Sequence, residues 1–167
     1  MRKLILSILA MLSLMVSTAC GQAGKDRLTA KTLQKATRIQ YYTDNGTVAP
    51  DHHFGVTVTV SRDSVYLTVT KGYKQQVIYS QTAPLTPAHY EQFIKQLAEL
   101  SIHNTSTKAA PTSGGGAESI EVADDNGVLF QGNVNKAMAY EGNLSMTIND
   151  VMPNEMAQVF RHPNDLE

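Results

Sequence analysis

The chain has 167 residues, with 14 Lys and Arg, 15 Asp and Glu, and a formal net charge of −1 at pH 7. This length is typical of one domain, which can bury a core without disulfide bonds. A single cysteine excludes an internal disulfide, and a slightly acidic chain does not favour nucleic-acid partners, which require a basic surface.

The N-terminal segment has the layout of a secretory signal peptide. Arg2 and Lys3 are basic, the run Leu4–Val16 is mostly apolar, and the small residues Ser17–Ala19 follow. The run is too short for a helix that crosses a bilayer, which takes roughly 20 residues. We therefore expect residues 1–19 to be a signal peptide and the chain to be exported.

Cys20 follows the small residues directly. The segment VSTAC, Val16–Cys20, resembles the lipobox of bacterial lipoproteins, although Ser17 stands where that family prefers leucine. The resemblance implies that Cys20 is lipidated, becomes the mature N-terminus and carries three acyl chains, which anchor a protein stably to a membrane. Gly21, in place of the aspartate that retains such proteins at the inner membrane, favours the outer membrane and a domain facing the periplasm. The alternative is an ordinary signal peptide with a chance cysteine.

The expected domain organisation follows from this N-terminus. Removal of residues 1–19 takes away two positive charges and changes the formal net charge from −1 to −3. Residues 20–37 are expected to be the lipidated N-terminus and a tether, with Leu28–Thr37 either a short helix or part of that tether. Residues 38–162 are expected to form a single domain, and residues 163–167 a C-terminal tail.

The first half of this domain is predicted to be β-structure. Arg38–Thr43 is rich in strand-forming residues and precedes a turn signal. The stretch FGVTVTVSRDSVYLTVTKG alternates apolar and polar residues on both sides of Ser61–Ser64, which predicts an antiparallel hairpin with one buried face. Gln75–Ser80 is predicted to be the next strand.

The second half mixes helices and strands. Thr86 and Pro87 are typical of a helix start, and the apolar spacing from Tyr90 to Leu97 predicts a helix. Ser119–Ala123 and Val128–Gln131 are predicted to form a second hairpin. Leu144, Ile148, Val151 and Met152 can share one face of a helix that ends at Pro153. Asn154–Phe160 is expected to add a short turn of helix.

The predicted fold class is α+β, an antiparallel sheet of hairpins with one or two helices packed on one face. The overall layout resembles small envelope lipoproteins of Bacteroidetes-type bacteria. That resemblance implies no particular activity.

The first candidate site is the face of the first hairpin opposite its valines. Period-two alternation places five polar residues on this face: Thr57, Thr59, Tyr66, Thr68 and Thr70. A tyrosine on such a face offers apolar area with a polar tip, as binding surfaces often do. The alternative is an ordinary solvated face, in which threonine pairs stabilise the sheet.

The second candidate site is Asp51-His52-His53, the densest cluster of possible metal ligands. Adjacent strand residues point to opposite faces, so both histidines can bind one ion only from an irregular loop after Pro50. The alternative is a pair of polar loop histidines. No other spacing typical of a metal site is present, and we expect no cofactor.

These observations favour a lipid-anchored, non-enzymatic binding or scaffolding module of the cell envelope, with the membrane and an envelope protein as partners and no nucleic acid. The chain carries no catalytic motif such as Gly-x-Ser-x-Gly. The alternative is an envelope hydrolase or metal-dependent enzyme that uses the Asp51-His52-His53 loop. A third possibility is an inhibitor or chaperone-like protein that makes contact through the first hairpin or the Gly114–Gly116 loop.

Overall fold

The computed structural model describes residues 27–46, 48–100, 102–104, 117–135 and 144–166, and Cys20 and the loop around Gly114–Gly116 lie outside these ranges. The described part contains four α-helices, α1 (Ala30–Lys35), α2 (Pro87–Glu99), α3 (Leu144–Asp150) and α4 (Asn154–Arg161). Its strands are β1 (Arg38–Asp44), β2 (Phe54–Val60), β3 (Ser64–Lys71), β4 (Gln76–Pro84), β5 (Ala117–Asp124) and β6 (Gly127–Asn135). Short 3-10 helices lie at Pro50–His52 and Pro163–Leu166.

The strands form one antiparallel sheet in the order β4-β3-β2-β1-β5-β6. Each of the two predicted hairpins, β2–β3 and β5–β6, is present, and β1 lies between them. The α+β fold class predicted from the sequence is confirmed.

The valine-rich strands pair in the predicted register. Val56 lies opposite Val69, Val58 opposite Leu67, and Val60 opposite Val65, and all six side chains are buried. The turn between these strands is closed by Ser61, whose Oγ hydrogen bonds to Asp63 at 2.8 Å and to the Ser64 hydroxyl at 2.7 Å. The alternation of apolar and polar residues along these strands thus correctly predicts which side of each strand faces the core.

The helices cover this valine face. Thr86 caps α2 by accepting a hydrogen bond from the His89 amide, and the helix buries Phe93 and Leu97. Helix α3 buries Leu144 and Ile148, and α4 buries Met156 and Ala157. The core therefore lies between one face of the sheet and the layer of helices.

The core begins before residue 38. Leu28 and Leu33 are 2% and 1% exposed, and the Leu28 amide donates to the Ile102 carbonyl at 2.9 Å. Thr29 caps α1, which packs against α2. The sequence left open whether residues 28–37 form a short helix or part of the tether. They contain the helix α1 and belong to the folded unit, because their apolar side chains complete the core while their basic side chains stay outside. At the other end, Leu166 packs partly against the core.

Strand β4 is longer than predicted and contains an irregularity. Val69 pairs with Tyr79, but Thr70 pairs with Val77, so Ile78 is the extra residue of a bulge. An extra residue shifts the alternation, so Val77 lies on the face opposite the core and is 57% exposed.

Candidate functional site

The face of the sheet opposite the helices brings the five predicted residues together. Thr57 pairs with Thr68, Thr59 with Tyr66, and Thr70 with Gly55. We call the surface formed by Thr57, Thr59, Tyr66, Thr68 and Thr70 the threonine–tyrosine face. The threonines are half-buried by their neighbours, and Tyr66 is 40% exposed.

Strand β4 extends this surface. Ser80 pairs with Thr68 and Thr82 pairs with Tyr66, so both lie on the same side of the sheet. The Tyr66 hydroxyl and the Ser80 Oγ are 2.8 Å apart. Hydrogen bonds from Ser80 and then Thr68 to this phenol lower the pKa of Tyr66. Ser80, Thr82 and Val77 could not be assigned to this face from the sequence, because alternation alone does not reveal the bulge in β4.

One corner of the face is closely packed around Gly55. The Tyr42 hydroxyl donates to Asp44 Oδ2 at 3.1 Å, and the ring of Tyr42 lies over Gly55. A Cβ atom at position 55 would lie 2.8 Å from Thr70 Oγ1 and 3.3 Å from the Tyr42 hydroxyl. Burial, and then the nearby charge of Asp44, raise the pKa of Tyr42 to about 12. The sequence signal for this corner is a glycine inside a strand, which often marks a close approach.

The threonine–tyrosine face is electrically neutral. On β2, β3 and β4 every residue directed away from the core is uncharged. The charges of this side lie at the β1 and β5 positions, where Arg38 pairs with Glu121 at 2.8 Å. A neutral surface with many hydroxyl groups can exchange hydrogen bonds in both directions but cannot attract a strongly charged ligand.

The structure places the three residues of the proposed metal loop in different surroundings. Asp51 and His52 are exposed, and His52 lines a small cavity of about 210 Å³ with Asn45, Val48, Phe54 and Asn164. His53 is 8% exposed, and its ring centre lies 4.7 Å from that of Tyr73.

This arrangement does not form a ligand set. Nowhere in the described ranges are three or more His, Cys, Asp or Glu side chains grouped so that they could hold a metal ion. The Nδ1 atom of His53 is buried without a hydrogen-bond partner among the described residues. The Asp51-His52-His53 metal hypothesis therefore gains no support here: His53 packs against Tyr73, while His52 faces solvent.

Within the described residues, no helix has both the length and the apolar character needed to cross a membrane. A comparison of the chain with protein-family models, with curated proteins and with solved structures found no match.

Proposed function

We propose that the protein is a lipid-anchored, non-enzymatic binding module of the cell envelope, and that its threonine–tyrosine face is the surface that contacts a folded protein partner. The observation that supports this most is the contrast between the two sides of the sheet. One side is covered by helices, while the other presents an uncharged surface on three adjacent strands with the large side chains of Tyr66 and Val77 exposed.

The dimensions of the sheet suit a protein partner. The open side of all six strands, which lie about 4.8 Å apart and are roughly seven residues long, has an area on the order of 600 Å², and the three strands of the threonine–tyrosine face supply about half of it. A standard protein–protein interface buries about 800 Å² of accessible surface on each partner. Tyrosine is enriched in such interfaces, and charged residues are depleted from their centres. The composition of the threonine–tyrosine face thus suits a protein partner, and a contact of standard size would extend from it onto the neighbouring strands of the open side.

The membrane anchor in this proposal rests on the sequence. The basic, apolar and small segments of residues 1–19 precede Cys20, the one thiol of the chain. Three acyl chains on that residue would hold the domain permanently at a membrane. We place the protein at the outer membrane with the domain facing the periplasm, because Gly21 follows the cysteine.

The anchor is tested by the substitution Cys20→Ser in the full chain. The native protein is expected in the membrane fraction and to incorporate a radiolabelled fatty acid, whereas the variant should do neither. A variant that still sediments with membranes and still takes up label would contradict the proposed lipidation.

The binding surface is tested by site-specific photo-crosslinking in intact cells. p-Benzoylphenylalanine replaces Tyr66 on the face and, as the control, Met146, which is exposed on α3 in the helix layer. We expect one reproducible envelope protein to be cross-linked at position 66 and not at position 146. The added substitution Thr68→Arg, which places a charge on the face, should abolish that cross-link.

The same partner at both positions, or a cross-link that survives Thr68→Arg, would contradict the assignment of the surface. The assignment of the surface would also be contradicted if position 66 gave no cross-linked product in cells where the protein is stably present. Because lipidation is measured separately, a failure of the anchor and a failure of the surface can be told apart.

A further inference from the structure

A second cavity lies in the helix layer, on the opposite side of the molecule from the threonine–tyrosine face. It has a volume of about 360 Å³ and lies between α2, α3 and α4. Sites for small ligands usually have volumes of about 300–1,000 Å³. Its lining is mostly polar, with amide, charged and imidazole side chains from the three helices.

The cavity walls are two helix faces whose spacing is visible in the sequence. Helix α2 contributes His89, Gln92, Phe93 and Gln96, which recur at three- and four-residue intervals. Helix α4 contributes Asn154, Ala157 and Arg161 in the same manner. Residues at this spacing share one face of a helix. On these two faces Phe93 and Ala157 are buried, whereas Gln92 and Asn154 are exposed, so solvent reaches the amide groups of the cavity.

One hydrogen-bonding group of this cavity, the Asn149 side chain, is incompletely paired within the protein. The Oδ1 atom of Asn149 is buried and accepts no hydrogen bond from any described residue, while its Nδ2 donates only a long bond of 3.4 Å to Asp150. Among the described residues, neither His89 nor Arg161 forms an ion pair. An unpaired buried oxygen is costly, so a bound hydrogen-bond donor that reached the Asn149 Oδ1 atom would relieve an existing penalty.

The charges of the lining restrict the class of ligand. Arg161 and Asp150 carry opposite charges, so the cavity does not select a simple anion or a simple cation. Four amide side chains, Gln92, Gln96, Asn149 and Asn154, each offer both a donor and an acceptor. Hydroxyl groups of a sugar also both donate and accept. Val151 and Met152 add a small apolar wall, against which a methyl group can pack.

We infer that this cavity binds a small, uncharged saccharide, and that an acetamido sugar such as N-acetylglucosamine matches the amide groups and the small apolar wall of its lining. The sugar hydroxyls would exchange hydrogen bonds with the four amides, and the acetyl methyl group would contact Val151 and Met152. This site is separate from the threonine–tyrosine face and does not depend on the function proposed for that face.

The test uses methyl NMR of the full chain labelled with [methyl-¹³C]methionine in a detergent without a sugar headgroup. Met152 lies in the cavity wall, and Met146, exposed elsewhere on the helix layer, is the internal control. Titration with N-acetylglucosamine should shift the Met152 resonance saturably and leave that of Met146 unchanged. Parallel titrations with glycine and with acetate test a zwitterion and an anion.

Two matched glutamine variants locate the binding. Gln92→Ala removes one amide from the cavity and should weaken binding by about 10-fold. Gln34→Ala removes an exposed glutamine of α1 outside the cavity and should leave the affinity unchanged. Both positions are exposed on helices, so neither substitution should unfold the protein.

The remaining outcomes overturn the inference. If the Met152 resonance does not respond to N-acetylglucosamine, or if Met146 shifts equally, the cavity is not a saccharide site. A response to glycine or acetate alone would assign a different class of ligand. An equal loss of affinity in Gln92→Ala and Gln34→Ala would place binding elsewhere.

Discussion

The two faces of the sheet are built from the same strands, but one face is buried under the helices and the other is open. On β2 the valines Val56, Val58 and Val60 are buried, whereas Thr57 and Thr59, which alternate with them, are only half-buried. The helices and the valines form one dry core, while the opposite side keeps hydroxyl groups that solvent or a partner can reach. A strand of seven residues thus supports the fold with one side and presents a surface with the other.

The difference between the faces predicts how substitutions will behave. A buried side chain contributes through apolar area and close packing, so its removal costs stability wherever a cavity remains. A side chain on the open face has few such contacts, and its removal is expected to change stability little. Substitutions on the buried face are therefore expected to lower the free energy of unfolding far more than substitutions on the open face.

Leu67 and Thr68 are neighbours in β3 that point to opposite faces. Leu67 is fully buried, and we expect Leu67→Ala to lower the free energy of unfolding by about 3 kcal/mol. Thr68→Ala should change it by less than about 0.5 kcal/mol. Urea denaturation measures both values, provided that the slope of the transition is unchanged. Equal losses in the two variants would contradict the assignment of one face to the core and the other to the surface.

The corner at Gly55 is an exception to this separation, because packing on the open face is tight there. We expect Gly55→Ala to destabilise the fold by roughly 1 kcal/mol, since the new Cβ would lie 2.8 Å from Thr70 Oγ1. Thr70→Ala removes that oxygen, so the double variant should recover part of the loss. Denaturation of the two single variants and the double variant gives the coupling energy. Additive losses would show that the Thr70 side chain is not the cause.

The sequence predicted the buried face more fully than the open one. Alternation in FGVTVTV and YLTVT gave the correct side for each valine and threonine, because each strand side chain has only two possible directions. The helix after Thr86 was predicted for a similar reason: a cap, a proline and regular apolar spacing all agree.

Features that depend on tertiary contacts could not be predicted in this way. The bulge at Ile78 reverses the direction of Val77, and no local pattern in QQVIYS indicates it. The sequence left open a short helix or part of a tether at Leu28–Thr37, because basic residues surround Leu28 and Leu33 and the burial of these two leucines depends on contacts with the rest of the core. The polar cavity between α2 and α4 required knowledge of which helix faces meet.

The tyrosines of the open face allow a finer comparison by pH. The pKa of Tyr42 is raised to about 12, so the folded state holds this proton more tightly than the unfolded state, whose tyrosine pKa is about 10. The stability gained from Tyr42 is therefore present below pH 10 and is lost as pH rises toward 12. We expect the stability difference between the native protein and Tyr42→Phe to shrink between pH 8 and pH 11.

Tyr66 provides the control for this pH effect, because hydrogen bonds from Ser80 and Thr68 lower its pKa. The stability contributed by Tyr66 therefore changes with pH in the opposite direction and should not shrink as pH rises above 10. Urea denaturation of Tyr42→Phe and Tyr66→Phe at about pH 8 and about pH 11 compares the two sites directly. A parallel response of the two variants would contradict the different environments of these phenols.

The smallest expected effect on stability is that of Tyr66→Phe at neutral pH. Tyr66 is 40% exposed and its hydroxyl meets Ser80 Oγ at 2.8 Å, an exposed hydrogen bond that water can replace. We expect no measurable change in the free energy of unfolding. If the threonine–tyrosine face binds a partner, loss of the Tyr66 hydroxyl should weaken that complex by several-fold, because water is excluded from the interface and cannot replace the lost hydrogen bond. Denaturation and a binding measurement on the same sample separate the two effects. A variant that loses stability but keeps its partner would make Tyr66 a structural residue, and the open face would then be a solvated surface at this position.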